Sequence, residues 1–183
     1  MTIGRLLLRV TVGSLFVGHG MQKLLGWFGG PGLDGTAESF EKLGMKPGRP
    51  HALAAGIAET GGGALLAVGY ATPLAAATLT ATMLTAIERV HAKNGPWAAN
   101  QGYEYNLVLI GAVLALAETG PGTPALGKRR FGPLWALTAL TIGAAGAAGA
   151  HYAAEQGAIT QSATTGGPVA ATGHARHEQP TAA

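Results

Sequence analysis

The sequence predicts an all-α integral membrane protein: a four-helix transmembrane bundle plus a fifth C-terminal transmembrane helix. Three observations lead to this prediction. Only 11% of the 183 residues are charged, against about 25% in an average soluble domain. Hydrophobic residues make up 48% of the chain, and 30 glycines add to them. The apolar residues are gathered in five runs, and runs rich in Gly and Ala are typical of closely packed membrane helices.

The first run, residues 3–28, is predicted to be a spanning helix and not a cleaved signal peptide. Arg9 interrupts its apolar core, and Lys23 stands where a signal peptide needs small residues for cleavage. The loop that follows, 29–51, is rich in Pro and Gly, and within it residues 37–43 are predicted to form a short helix at the membrane interface.

The second and third runs form a helical hairpin. Residues 52–70 contain a single charged residue, Glu59. A tight connection then leads into the third run, 74–87. Pro73 suits the first turn of that helix because its missing N–H has no partner to lose there.

The last two runs complete the predicted set of spans. The fourth, 105–117, is about 20 Å of helix, so it crosses the ~30 Å hydrocarbon core only if neighbouring residues extend it. The fifth, 134–154, carries Ala139, Gly143 and Ala147 at four-residue intervals, which predicts a close-packing ridge. The chain is therefore divided into a membrane domain 1–122, a basic loop with the fifth span 123–154, and a disordered tail 155–183.

Charge placement predicts a multi-pass protein of the plasma membrane with a cytoplasmic N-terminus. Arg5 and the basic cluster 128–130 fall on one side of a five-span scheme, and the positive-inside rule makes that side cytoplasmic. Three basic residues of the loop 29–51 oppose this assignment.

The expected partner is the lipid bilayer and not nucleic acid, because no basic stripe is interleaved with aromatics. The absence of cysteine excludes disulfides and thiolate metal sites within the chain.

Ionisable residues inside the predicted spans are the strongest functional signal, because such groups are costly in a membrane and usually face protein or water. In the first helix, Arg5, Arg9, Phe16, His19 and Lys23 fall within an arc of roughly 80°. Arg5 and Lys23 could simply reach the two membrane interfaces. Arg9 and His19 lie deeper, so this interpretation has less support for them.

Glu59 is the ionisable residue inside the second predicted span. It shares a helix face with Ala52, Gly56 and Gly63, so its carboxylate should point into a close helix contact. Because the two helices are antiparallel, Lys23 or His19 lies at the depth of Glu59, whereas Arg9 lies in the other half.

This comparison of depths predicts one polar site in one half of the bundle. The candidate residues are His19, Gln22, Lys23, Glu59, His91, Glu104, Tyr105 and Asn106, with Arg5 and Arg9 on the inner side. His19, Lys23 and Glu59 are the candidates for holding a cofactor, of which a quinone is one option. No metal is predicted, since the paired Glu-x-x-His pattern of di-iron bundles is missing from the sequence and Lys23 disfavours a cation. Alternatively, these residues are ion pairs that only stabilise packing.

Several short motifs, taken in their order and spacing, give the chain a resemblance to the DoxX family of small bacterial membrane proteins over about residues 5–122. They are Arg5 to Arg9, Gly18 to Lys23, Glu59 with Gly61 to Gly63, Gly102 to Asn106, and Gly120 to Gly122. The resemblance implies a four-helix membrane core with an interior polar site. It also implies a redox setting, because the family is named for a subunit of a thiosulfate:quinone oxidoreductase. After Gly122 this chain departs from the family pattern.

Two functions follow as hypotheses, and the sequence leaves open whether the protein is an enzyme. In the first, it is a redox component that handles a quinone or small electron carrier, alone or with a redox partner protein. In the second, it is a non-enzymatic scaffold, or binds a lipid or small solute, and its buried charges are structural. Transport has less support because no inverted repeat is visible in the sequence.

Overall fold

The computed structural model describes residues 2–127 and 130–165, and all regular structure within them is helical. Six α-helices carry the fold: α1 (Ile3–Leu25), α2 (Gly32–Lys42), α3 (Gly48–Val68), α4 (Thr72–Ala86), α5 (Glu104–Thr119) and α6 (Pro133–Thr165). Short 3-10 turns lie at Trp27–Gly29, Ala92–Asn94 and Ala98–Asn100, and one π-helical turn, Ile87–His91, continues α4. The five predicted runs each become a helix, and the short helix expected at 37–43 forms as α2, which begins five residues earlier.

Helices α1 and α3 pack so closely that their backbones touch. A Cβ atom on Gly63 would lie 2.6 Å from the carbonyl oxygen of Gly13, and one on Gly20 would lie 2.1 Å from the hydroxyl of Thr60. Ala52, Gly56 and Gly63 are buried on the same face of α3 as Glu59. The predicted close contact around Glu59 is therefore confirmed.

The core lies where α3, α4 and α5 meet. Leu66, Leu79, Val113 and Leu116 are its largest apolar side chains with almost no exposure. α1 packs along α3, α3 along α4 and α4 along α5, but α1 and α5 touch only sparsely. This incomplete closure leaves a gap between α1 and α5.

Helix α6 packs across α4 and α5. Its contact stripe is the predicted small-residue ridge, since Ala139, Gly143, Ala147 and Ala154 are buried. A Cβ atom on Gly143 would lie 2.8 Å from the side chain of Thr80 on α4, so only a residue without a side chain fits this approach.

The prediction that the chain becomes disordered at residue 155 is wrong for 155–165, which continue α6 to Thr165. This stretch lacks apolar periodicity but contains good helix formers such as Ala and Gln. A pair one turn apart, His151 Nε2 and Glu155 Oε1 at 3.0 Å, supports the extension. The rest of the predicted tail, 166–183, and Lys128 and Arg129 of the basic cluster lie outside the described residues.

Two helices, Gly48–Val68 and Pro133–Thr164, are long and apolar enough to cross a membrane. Helix α5 has 16 residues, or about 24 Å, so it extends the predicted run 105–117 at both ends. Many large apolar side chains are exposed, among them Leu7, Ile57, Leu74, Val108 and Leu134. An apolar outer surface of this kind suits lipid better than water.

Candidate functional site

A cavity of about 290 Å³ lies between α1 and α5, which are only sparsely packed, at the end of the bundle that carries α2. Its walls combine apolar and polar side chains: Val12, Leu15, Phe16, His19, Lys23, Glu59, Met83, Ala86, His91, Tyr105, Asn106 and Leu109. Six of the eight residues in the predicted polar site are among them; Gln22 and Glu104 are not.

A salt bridge between Lys23 and Glu59 forms part of the cavity wall. The Lys23 Nζ donates to Glu59 Oε2 at 2.6 Å, and it joins the last turn of α1 to the middle of α3. The Glu59 residue is only 6% exposed, whereas the Lys23 side chain keeps 24% of its surface accessible. Lys23 also sits at the negative end of the α1 dipole, which favours its charge. Of the two partners predicted for Glu59, Lys23 and His19, it is Lys23 that contacts the carboxylate.

His19 lines the cavity one turn before Lys23, and its ring is oriented by Gln22. The His19 Nδ1 lies 3.1 Å from Gln22 Oε1, and an amide oxygen can only accept, so Nδ1 carries the proton. In the neutral ring Nε2 is then a hydrogen-bond acceptor. Gln22, although outside the cavity, thus determines which ring nitrogen can serve a ligand.

His91 enters the cavity from the π-helical turn Ile87–His91. Such turns widen a helix by one residue and are frequent at functional sites. The His91 Nδ1 lies 2.8 Å from the carbonyl oxygen of Gln101, so this ring also donates from Nδ1 and leaves Nε2 as an acceptor.

Helix α5 supplies the remaining wall. Asn106 is buried, and its amide nitrogen donates to the sulfur of Met83 at 3.4 Å. Tyr105 lies at the rim and is half exposed. Glu104 faces away from the cavity and accepts a hydrogen bond from the backbone nitrogen of Ala98 at 2.8 Å, so its observed role is to order the loop before α5.

Arg5 and Arg9 lie at the other end of the bundle, where both bind backbone carbonyls. Arg5 donates to the oxygen of Thr119 at 2.6 Å. Arg9 is 3% exposed and donates to the oxygens of Ala67 and Pro124. These two residues therefore tie α1 to the end of α3 and to the loop after α5.

A second polar cluster, not predicted from the sequence, lies at the surface around His151 of α6. Its Nδ1 contacts a carboxylate oxygen of Glu88 and lies 2.9 Å from Arg89 Nη2, while Nε2 meets Glu155. The i, i+4 spacing of His151 and Glu155 was the available signal, but the assumed end of the helix at 154 hid it.

Within residues 2–127 and 130–165, no three His, Asp or Glu side chains are grouped as metal ligands. What the cavity offers instead is one ammonium, one carboxylate and two imidazole acceptors at one end of an apolar space. This set suits a small, flat, largely apolar molecule with polar oxygens, which can both accept a hydrogen bond and exchange a proton.

The fold and the cavity together define a class: a small all-helical protein with an apolar exterior and a charged pair on the wall of an internal cavity. The chain belongs to the DoxX family, whose profile matches residues 4–92; the proteins of this family are membrane proteins. A relative from Bacillus subtilis (strain 168), named "Putative oxidoreductase CatD", is 34% identical over 114 residues, or 62% of this chain and 78% of that protein. No solved structure matches the chain.

Proposed function

We propose that this membrane protein is a redox-associated component that binds a quinone, or a similar small electron carrier, in the cavity between α1 and α5. The observation that carries the proposal is the Lys23–Glu59 pair on the wall of an otherwise largely apolar cavity. The Bacillus subtilis relative is named as an oxidoreductase, which supports a redox role.

The cavity suits a quinone head group for chemical reasons. The Lys23 ammonium can donate to a carbonyl oxygen and stabilise the negative charge that develops there on reduction. Glu59 can exchange a proton with the same oxygen, and His19 Nε2 can accept one. Ligand pockets usually measure about 300–1,000 Å³, so a cavity of about 290 Å³ is suited to one ring. An isoprenoid tail would leave between Leu15 and Tyr105, both of which are exposed.

The electrons must come from elsewhere. Two electrons and two protons convert a quinone into a quinol, and the chain contains no cysteine that could supply electrons. A redox partner protein is the proposed donor of both electrons, while this chain provides the binding site and delivers the two protons one after the other.

We further propose that α1, α3, α4, α5 and α6 all span the membrane, with the N-terminus in the cytoplasm. Exposed aromatic side chains support this arrangement because they mark both bundle ends, as in membrane interface belts. Trp27, Phe28 and Trp97 lie at the cavity end, and Tyr70 and Trp135 lie at the opposite end. The cavity then faces the outer half of the plasma membrane.

Quinone binding by the purified protein tests the proposal. We expect a short-chain ubiquinone analogue to bind in detergent, and Lys23→Ala and Glu59→Gln each to weaken binding at least about tenfold, or ~1.4 kcal/mol. Lys93→Gln is the matched control, because Lys93 is an exposed cation at the same end of the bundle but outside the cavity. Failure of the wild type to bind, or equal binding by all variants, contradicts the proposal.

A second candidate function is a scaffold in which the same charges are structural. It is favoured by the position of the Lys23–Glu59 pair, which joins α1 to α3, and by the carbonyl contacts of Arg5 and Arg9. A scaffold predicts that Glu59→Gln lowers the thermal stability and that any cellular phenotype follows protein abundance. Loss of function at unchanged abundance contradicts this alternative.

A further inference from the structure

A second cavity, of about 210 Å³, lies on the opposite side of α3, between α3, α4 and α6. Glu59 lines this cavity as well as the first one. The same buried carboxylate therefore separates two spaces, one of which also contains Lys23 and His19, while the other contains His51.

The second cavity has a polar side along α4. Thr78, Thr82 and Thr85 line it, and their spacing places them on one helix face. Their hydroxyl groups donate to backbone carbonyls of their own helix at 2.9, 2.9 and 3.0 Å, so the lone pairs of the hydroxyl oxygens can accept from water. On the facing wall of α3, Ala54, Ala55 and Ala58 lie between His51 and Glu59 in the sequence.

The volume and the lining suit water. Each molecule takes about 30 Å³ in the liquid, so a cavity of about 210 Å³ has room for a short chain of waters. A buried water needs two to four polar partners. The three threonine hydroxyls, His51 and Glu59 provide such partners, while the rest of the lining is apolar and includes Phe40 and Met45.

The Glu59 carboxylate can accept further hydrogen bonds. Its Oε2 accepts from Lys23, but within the described ranges Oε1 has no hydrogen-bond partner. A carboxylate can accept up to about four hydrogen bonds. The pair with Lys23 therefore leaves Oε1 able to accept a hydrogen bond from a water molecule.

His51 lies at the other end of the second cavity, in the first turn of α3, and is partly exposed. Arg89 lies near enough to act on it electrostatically, and Arg89 belongs to the surface cluster of Glu88, His151 and Glu155. This end of the cavity thus meets charged groups at the edge of the bundle.

We propose that the second cavity is a water-filled path by which Glu59 exchanges protons with the aqueous phase at His51. Protons on this path do not pass through the first cavity, between α1 and α5. His51 takes a proton from bulk water at one ring nitrogen and releases one from the other to the water chain. The chain protonates the Glu59 carboxylate, which passes the proton to a reduced substrate oxygen and is left ready for the next. No electrons move along this path. Its use in a reaction depends on the proposed function, but the existence of the water path does not.

Single cysteines test the water path directly, because the natural chain has none. Thr78→Cys and Thr82→Cys place a thiol in the second cavity. Thr80→Cys is the matched control, since Thr80 is the same residue type on the same helix but is fully buried outside the cavity. We expect a small, water-soluble methanethiosulfonate reagent to modify residues 78 and 82 at least tenfold faster than residue 80 in the full-length protein in lipid vesicles. Equal and slow modification at all three positions would mean a dry cavity and overturn the proposal.

His51→Ala tests the proton step in protein that shows quinone turnover with a chemical reductant. We expect slower turnover, a changed pH profile, and recovery on adding imidazole, which a purely structural defect would not show. Slow turnover without recovery, or unchanged turnover, overturns the role of His51. If the wild type shows no turnover at all, the proposed function fails, and the cysteine experiment alone decides whether the water path exists.

Discussion

At the scale of single residues, the buried charges of α1 divide into two kinds. Arg9 donates to the backbone carbonyl oxygens of Ala67 and Pro124, so its guanidinium links two parts of the backbone. Lys23 instead meets a carboxylate at a cavity wall. The first arrangement stabilises the fold, and the second leaves an ion pair that a ligand can reach.

Replacing Arg9 should therefore affect stability but not the cavity. In Arg9→Gln the shorter side chain cannot reach both Ala67 and Pro124, and an unpaired buried acceptor costs about 1–3 kcal/mol. We expect a loss of about 2–4 kcal/mol in unfolding free energy, measured by denaturant titration in detergent. Arg49→Gln is the control, because Arg49 is exposed and surface ion pairs contribute little. Equal losses in the two variants would contradict the structural role of Arg9.

The Lys23–Glu59 pair should behave as a coupled unit. Lys23→Met leaves a nearly buried carboxylate without its partner, and we expect a loss of about 1–3 kcal/mol, less than for a fully buried pair because Lys23 is partly exposed. Adding Glu59→Gln removes the unpaired charge, so the double variant should regain most of the stability. Thermal unfolding of the two single variants and the double variant measures this coupling. Strictly additive losses would show that the two side chains do not interact.

At the scale of helices, the contact between α1 and α3 depends on the absence of side chains at the contact points. Gly63→Ala places a methyl group 2.6 Å from the carbonyl oxygen of Gly13, and overpacking of this kind costs about 1–3 kcal/mol. Gly61→Ala, on the same helix, meets nothing within 4 Å and should be neutral or slightly stabilising because Ala favours helix. Thermal unfolding in detergent measures the difference. Equal stability of the two variants would mean that the helices are not in contact at Gly63.

Helices and their contact faces follow from the sequence because apolar runs and small-residue spacing are local properties. The pairing of Lys23 with Glu59 was also predictable, since antiparallel helices of known length place residues at calculable depths. The cavity was not predictable, because it results from the poor closure between α1 and α5. Nor was the role of Glu104, since its hydrogen bond to Ala98 depends on the conformation of a loop. The length of α6 was missed because its last turns lack an apolar pattern.

At the scale of the whole molecule, most residues that line the two cavities belong to α1, α3, α4 and α5. Helix α6 contributes Gly146 and Ala150 to the second cavity and none of the residues that line the first. It contacts the rest through a narrow stripe of small residues, so most of its surface is exposed. In lipid, unlike in water, separating such a helix carries little hydrophobic penalty.

A chain that ends at residue 127 should therefore insert and keep the first cavity. We expect it to purify as a monodisperse species in detergent, and to bind the quinone analogue within about threefold of the full-length protein, or ~0.7 kcal/mol. Its second cavity should open on the side that α6 covered, so a cysteine at Thr80, which packs against Gly143, should now be modified as fast as one at Thr82. Aggregation of the shortened chain, with loss of quinone binding, would instead make α6 an integral part of the bundle. The predicted membrane domain 1–122 would then not fold as a unit by itself.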